Sequence, residues 1–160
     1  MQKIGGCRVF ADHYQFFLLD SQADPFTDMP EWSEDAVKCG YVANEKVIHI
    51  KTYAHLNDHW VDVFLSDSPP PQKRADQALT VNLNINSGCL LIMSPIDQDE
   101  EIYSVKVPAG KYTVHVFIHN LGADKFTQDG INESEDDELS DDEIEARYDL
   151  ERYEIVLTTC

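Results

Sequence analysis

Basic residues are scarce in this chain: twelve Lys and Arg face thirty Asp and Glu over 160 residues, giving a formal net charge of -18 and a pI near 4.4. A duplex is gripped by neutralising its phosphates with Lys and Arg, so nucleic acid is a poor partner. Glycine is also sparse, at seven residues, and Gly5-Gly6 stands alone near the start, so no glycine-rich loop is available to cradle a phosphate. No G-x-S-x-G frames a nucleophilic serine. The four cysteines, Cys7, Cys39, Cys89 and Cys160, form no C-x-x-C pair and have no evident electropositive neighbours, which reads as reduced thiols in a cytoplasmic protein. Near the start the longest apolar run is Phe16 to Leu19, four residues, so neither a signal peptide nor a membrane-spanning helix is expected. Together these absences make catalysis the lesser reading, with no cofactor implied.

What the chain does have is enough apolar residues for a core, at 42% with 10% aromatics, and a length that suits one domain over residues 1–160. Its acids are concentrated. Nine lie between Glu133 and Glu145, with no base among them, and they carry half the net charge. A field of that size speeds encounter with a basic protein, although in many acidic proteins it serves solubility alone. Such a dense run of like charge is expected to stay solvated until bound, as a long acidic insertion at about 122–147 before the last strand. Within it, Ser140-Asp-Asp-Glu143 fits a capping box that would start a short helix at Asp141.

Elsewhere the hydrophobic period is mostly two. Arg8 to Asp20 reads as a buried strand, with the polar, Pro-containing segment to Pro30 as its loop. Val47–Tyr53 places Ile48, Ile50 and Thr52 on one face, Trp60–Leu65 groups Val61, Val63 and Leu65, and Thr80–Asn86 alternates Val81, Leu83 and Ile85 with three asparagines. Ile102–His119 reads as a hairpin turning at Pro108-Ala-Gly-Lys111, and Arg152–Leu157 supplies a last strand. One helix is expected near residues 33–39: Ser33 is its N-cap, Glu34 and Asp35 suit its positive end, and Gly40 stops it. Trp32 and Val37 then occupy the positions of a hydrophobic staple. These elements predict an all-β fold, an antiparallel β-sandwich of about seven to eight strands with one short helix.

Metal chemistry finds little support. His55 and His59 have i, i+4 spacing but lie between strands, and His115 and His119 are about 13 Å apart along one strand. The loop around Gly130 fails as a calcium-binding EF-hand, since Lys125 falls at its first ligand position. A calcium-binding module of the C2 type, which also gathers carboxylates on sandwich loops, remains as the alternative reading.

Four segments carry a likeness to a known family. They are His13-Tyr-Gln-Phe16, then Trp32-Ser-Glu-Asp-Ala-Val-Lys-Cys-Gly-Tyr41 with its tryptophan-led helix ending in Gly-Tyr, and the Val107–Tyr112 turn followed by a terminal strand with Tyr153-Glu-Ile155. In these the chain resembles the competence protein J (ComJ) family of DNA-entry nuclease inhibitors, apart from its long acidic insertion. The resemblance implies an inhibitor or immunity protein that binds a basic nuclease or toxin. An acidic row could occupy the Lys and Arg that a nuclease presents to DNA. The candidate contact residues are Glu133, Glu135, Asp136, Asp137, Glu138, Asp141, Asp142 and Glu143. A non-acidic face around Trp32 and Tyr41, or around Asn82, Asn84 and Asn86, is the other possibility. No oligomeric state is implied.

Overall fold

The structure, a computed structural model, describes residues 1–53, 57–72, 74–122, 142 and 150–160. Among the described residues, ten strands form two five-stranded sheets. Sheet A, in the order β1-β5-β10-β9-β6, comprises β1 (Gln2–Ala11), β5 (Asn57–Ser66), β10 (Arg152–Thr159), β9 (Gly110–His119) and β6 (Gln77–Ile85). Sheet B, in the order β3-β4-β2-β7-β8, comprises β3 (Tyr41–Ala43), β4 (Val47–Lys51), β2 (Gln15–Asp20), β7 (Cys89–Met93) and β8 (Tyr103–Lys106). The helix α1 (Glu34–Cys39) precedes β3. No helix among the described residues is long and apolar enough to cross a membrane.

The alternating strands meet across the interior as their period requires. Val61 and Val63 of β5, Val114, Val116 and Ile118 of β9, Leu83 and Ile85 of β6, and Tyr153, Ile155 and Leu157 of β10 face Phe16, Leu18, Ile48, Ile50, Leu90 and Ile92 of sheet B in one buried cluster. Each such side chain contributes roughly 1.5–3 kcal/mol by leaving water. Sheet B is covered on its outer face too. There Phe17, Leu19, Val47 and Met93 form a second cluster with Ala23 against it, and Phe26 meets the Phe17 ring edge-on at 6.4 Å. Burial on both faces explains why Phe16-Phe-Leu-Leu19 is apolar at every position instead of at every second one.

The all-β expectation holds, with three corrections in detail. First, Arg8–Asp20 is two strands: the chain turns at Asp12–Gln15, with His13 at φ 53° and Tyr14 at φ 58°, and passes from sheet A to sheet B. No glycine, proline or asparagine marks that turn, so composition did not reveal it. Second, Ile102–His119 is no hairpin. β8 pairs with β7 in sheet B, whereas β9 pairs with β10 and β6 in sheet A, and Pro108-Ala109 carries the chain between the sheets. The Tyr112 hydroxyl donates to the Pro108 carbonyl at 2.5 Å and braces that crossing. Third, β10 runs parallel to β5, pairing Tyr153 with Val61 and Leu157 with Leu65, so the fold is not wholly antiparallel. A parallel partner needs a long connection. Here the chain from β6 to β9 and the acidic segment supply it.

His49 of β4 is fully buried in the second cluster, stacked on Phe17 at 4.0 Å between ring centroids. Burial pushes its pKa from 6.5 down to about 4, and the Pro25 backbone offsets only part of that. A folded-state pKa below the unfolded one means that acid favours the unfolded chain, which takes up the proton first. The contribution is therefore complete above pH 6.5 and declines as pH falls towards 4, by on the order of 2 kcal/mol. In urea titrations across that range, His49→Gln should flatten the decline relative to wild type. An unchanged slope would remove His49 as its cause.

Candidate protein-binding site

Strand register gathers several loops at one end of the sandwich. Ala11 pairs with Asn57, Arg152 with His119, Gln77 with Ile118, Gln15 with Lys51 and Tyr41 with Ile50. This end therefore carries the 12–14 turn, the chain after Lys51, helix α1, and both ends of the long connection between β9 and β10. Backbone bonds tie these together. Thr52 N–H donates to the Tyr14 carbonyl at 2.8 Å, and Lys51 N–H to that of Gly40 at 2.9 Å. The Gln77 side chain donates to the Cys39 carbonyl at 2.8 Å.

The stem of the acidic connection is closed by Glu151, a buried carboxyl. One of its oxygens accepts from Tyr53 N–H at 2.9 Å and from the Tyr153 hydroxyl at 2.5 Å, and the other accepts from Gly122 N–H at 2.9 Å. The Asn120 amide donates to the Leu150 carbonyl at 3.0 Å, and Leu121 N–H to Asp76 at 2.9 Å. Behind this stem His59, expected on a loop, is buried within β5 with Nδ1 at 2.9 Å from the Glu151 carbonyl.

Helix α1 forms as its caps dictate. Ser33 Oγ accepts from Ala36 N–H at 3.1 Å, Gly40 at φ 85° closes the last turn, and Glu34, Asp35 and Lys38 complement its dipole. None of its residues is buried. Trp32 before it is half-buried, and Val37 is 45% exposed. Both line a cavity of about 220 Å³ together with His13, Tyr14, Gln15 and Lys51. Tyr41, by contrast, is half-buried against the main core.

Of the sequence-derived acidic candidates, only Asp142 is described, and it is exposed. Glu133, Glu135, Asp136, Asp137, Glu138, Asp141 and Glu143 lie outside the described residues, as do His55 and the expected helix from Asp141 apart from Asp142, which is helical. The described part of this end has acids of its own. Asp97 and Glu101, on the loop between β7 and β8, approach Asp58 of β5. Burial, and then the charges of Glu101 and Asp58, raise the Asp97 carboxyl above its usual range, against the Ser94 N–H that donates to it at 2.8 Å.

Sequence reasoning missed His13, Tyr14, Lys51, Asp58 and Glu151 as parts of this end. The likeness in His13-Tyr-Gln-Phe16 was the one available signal for the turn. Glu151 offered none, because a single acid beside Arg152 has no period. His115 and His119 are separated by their partners, Thr80 at 3.3 Å and Glu154 at 2.7 Å. Among the described residues, no three His, Cys, Asp or Glu converge as a metal site. All four cysteines are free, and burial, followed by the charges of Asp97 and Asp62, pushes the Cys7 thiol up to about 12, far from a reactive thiolate.

Because the Glu151 side chain satisfies three donors, Glu151→Ala should cost about 3 kcal/mol in urea unfolding. A loss under about 0.5 kcal/mol, the size of an ordinary surface change, would show that the stem does not depend on it.

The sequence matches the family described as Competence protein J (ComJ) over residues 8–151. No curated protein matches it. Among solved structures, the chain is similar to ComJ from Bacillus subtilis, an inhibitor of the DNA-degrading activity of NucA, with a TM-score of 0.69 and 15% identity over 99% of this chain and 98% of that one. It is also similar to the crocagin biosynthetic gene J protein, with a TM-score of 0.56 and 16% identity over 96% and 94%. These likenesses extend from strand to strand across both sheets, and with the match over residues 8–151 they bear out the resemblance read in the sequence: the chain belongs to the competence protein J (ComJ) family.

Proposed function

We propose that this protein inhibits a DNA-degrading nuclease by binding it, without chemistry or a cofactor of its own. The observation that carries this reading is the family match over residues 8–151, supported by the fold shared with an inhibitor of NucA. The contact surface is the end of the sandwich where the acidic segment is rooted, and Asp58, Asp97 and Glu101 lie at the same end. A nuclease must present cations to DNA phosphates, and an acidic surface held by rigid sheets competes for those cations. Glu133, Glu135, Asp136, Asp137, Glu138, Asp141, Asp142 and Glu143 extend that surface, and the partner is correspondingly basic. Four free thiols suit a reducing cytoplasm.

The test uses a DNA-degrading nuclease of the same genome, with plasmid degradation as the readout. The protein should abolish degradation at stoichiometric amounts. Raising salt from about 0.05 to about 0.5 M should slow association at least tenfold and change dissociation far less. Deleting residues 134–142 should weaken inhibition by about tenfold or more, on the order of 1.4 kcal/mol. Salt-independent association together with full potency of the deletion would reject the acidic contact.

A further inference from the structure

We propose that the free edge of β6 pairs with the same edge of a second copy of this chain, antiparallel and centred on Thr80, joining two A sheets into one. The proposal is independent of the inhibitor reading above.

The backbone leaves this edge open. On β9, the Lys111 carbonyl accepts from Cys160 N–H at 3.1 Å, so Lys111 turns its backbone towards the β10 side. The alternate residues, such as Tyr112 opposite Leu83 and Val114 opposite Val81, therefore bond to the odd-numbered positions of β6. Even positions point away from β9, as Asn84 does in donating its N–H to the Glu45 carbonyl at 2.8 Å. Ala78, Thr80 and Asn82 share that direction and are exposed. Among the described residues, none bonds to their outward N–H and C=O groups. Their side chains bond elsewhere, on the outer face: Thr80 Oγ1 lies 3.3 Å from His115 Nδ1, and Asn82 Oδ1 accepts from Thr113 Oγ1 at 3.3 Å.

The other edges are blunted in the ways that keep strands from pairing. β1 carries Lys3 and Arg8, its register breaks between Lys3 and Gly5, and Gly6 N–H donates to the Tyr103 hydroxyl at 3.1 Å. β3 has three residues and β8 four. β6 has none of these devices. Its nine residues pair with β9 without a break, from Gln77 with Ile118 to Ile85 with Gly110, and none is charged or a proline.

Charge and register select the occupant. At a net charge of -18, two copies repel over most of their surfaces, whereas along β6 they meet without like charges directly opposite. The open stretch is bounded by the Glu45 bond at Asn84 and, at the other end, by the Gln77 side chain donating to the Cys39 carbonyl at 2.8 Å. Thr80 is the middle of that stretch. A two-fold axis there sets Thr80 opposite its own equivalent and Ala78 opposite Asn82, each pair exchanging two main-chain bonds. On the inner face the same register sets Leu79 opposite Val81. Of the inward side chains of β6, Leu79, Leu83 and Ile85 are buried while Val81 is half-exposed, and a strand added outside β6 covers it. Asp76 of one copy then reaches the level of Asn84 of the other, where Lys111 on β9 offsets Glu45.

Sedimentation equilibrium at about 0.15 M salt tests this on wild type, Thr80→Lys and Asn82→Pro. The wild-type mass should rise from 18.2 kDa towards twice that value as concentration increases from about 1 to about 200 µM, since a contact of a few strand residues is small and weak. Thr80→Lys sets two cations face to face at the axis, and Asn82→Pro removes an outward N–H. Each variant loses one exposed side-chain bond, so its melting temperature at low concentration should stay within a few degrees of wild type. Both should remain monomeric throughout, and where one fails to fold the other decides. A wild type that stays monomeric at about 200 µM overturns the proposal, as does a dimer that the folded variants leave intact. A monomeric wild type whose inhibition of the nuclease is lost in Thr80→Lys overturns it too, and assigns the edge to a strand of the nuclease. The nuclease takes no part in the mass measurement, so failure of the inhibitor reading leaves the result standing.

Discussion

The structure depends on the seating of its last strand. β10 lies between β5 and β9, parallel to one and antiparallel to the other, with Tyr153, Ile155, Val156 and Leu157 fully buried. Without it sheet A is two separate ribbons, β1 with β5 and β9 with β6, and neither has a complete face to set against sheet B. The pairing of Tyr153 with Val61 joins residues far apart in the chain, so forming it carries the loop-closure cost of a long intervening segment.

That seating also places the candidate site. Glu151 is the residue before β10, so the register that puts Arg152 opposite His119 brings its carboxyl under Gly122 and Tyr53. The edge-on contact of Phe16 with Tyr153, at 4.9 Å between centroids, connects the same strand to sheet B directly below the His13 and Tyr14 turn. A family scaffold can therefore accept a long acidic segment without losing its core. The segment enters and leaves through a stem that the last strand closes.

The strands were legible wherever one face is wet and the other dry. Thr80–Asn86 is the clearest case, with Leu83 and Ile85 buried and Asn82 and Asn86 exposed. Helix α1 was legible to the residue because its signals are local: a serine cap, two acids and a glycine. Partnership was not legible. Nothing local separates a hairpin from a crossing at Pro108-Ala109, since the same turn chemistry serves both, and only the whole sheet decides that β8 follows β7. The site divides similarly. Trp32 stood out by residue type and its helix, and the acids by their density. The turn at His13-Tyr14 carries no glycine, asparagine or proline at its centre, so the usual turn signals pass over it. Glu151 is read as a surface acid until its three donors are seen.

Helix α1, with no buried side chain, is held mainly by its caps and by the bonds to the carbonyls of Cys39 and Gly40. An element so lightly attached opens locally at a small fraction of the cost of opening the sheets. One wall of the Trp32 cavity is thus compliant while the opposite wall, built on β2 and β4, is stiff. That asymmetry lets the cavity change its volume by a shift of the helix alone, while the sheets and the core beneath it keep their packing.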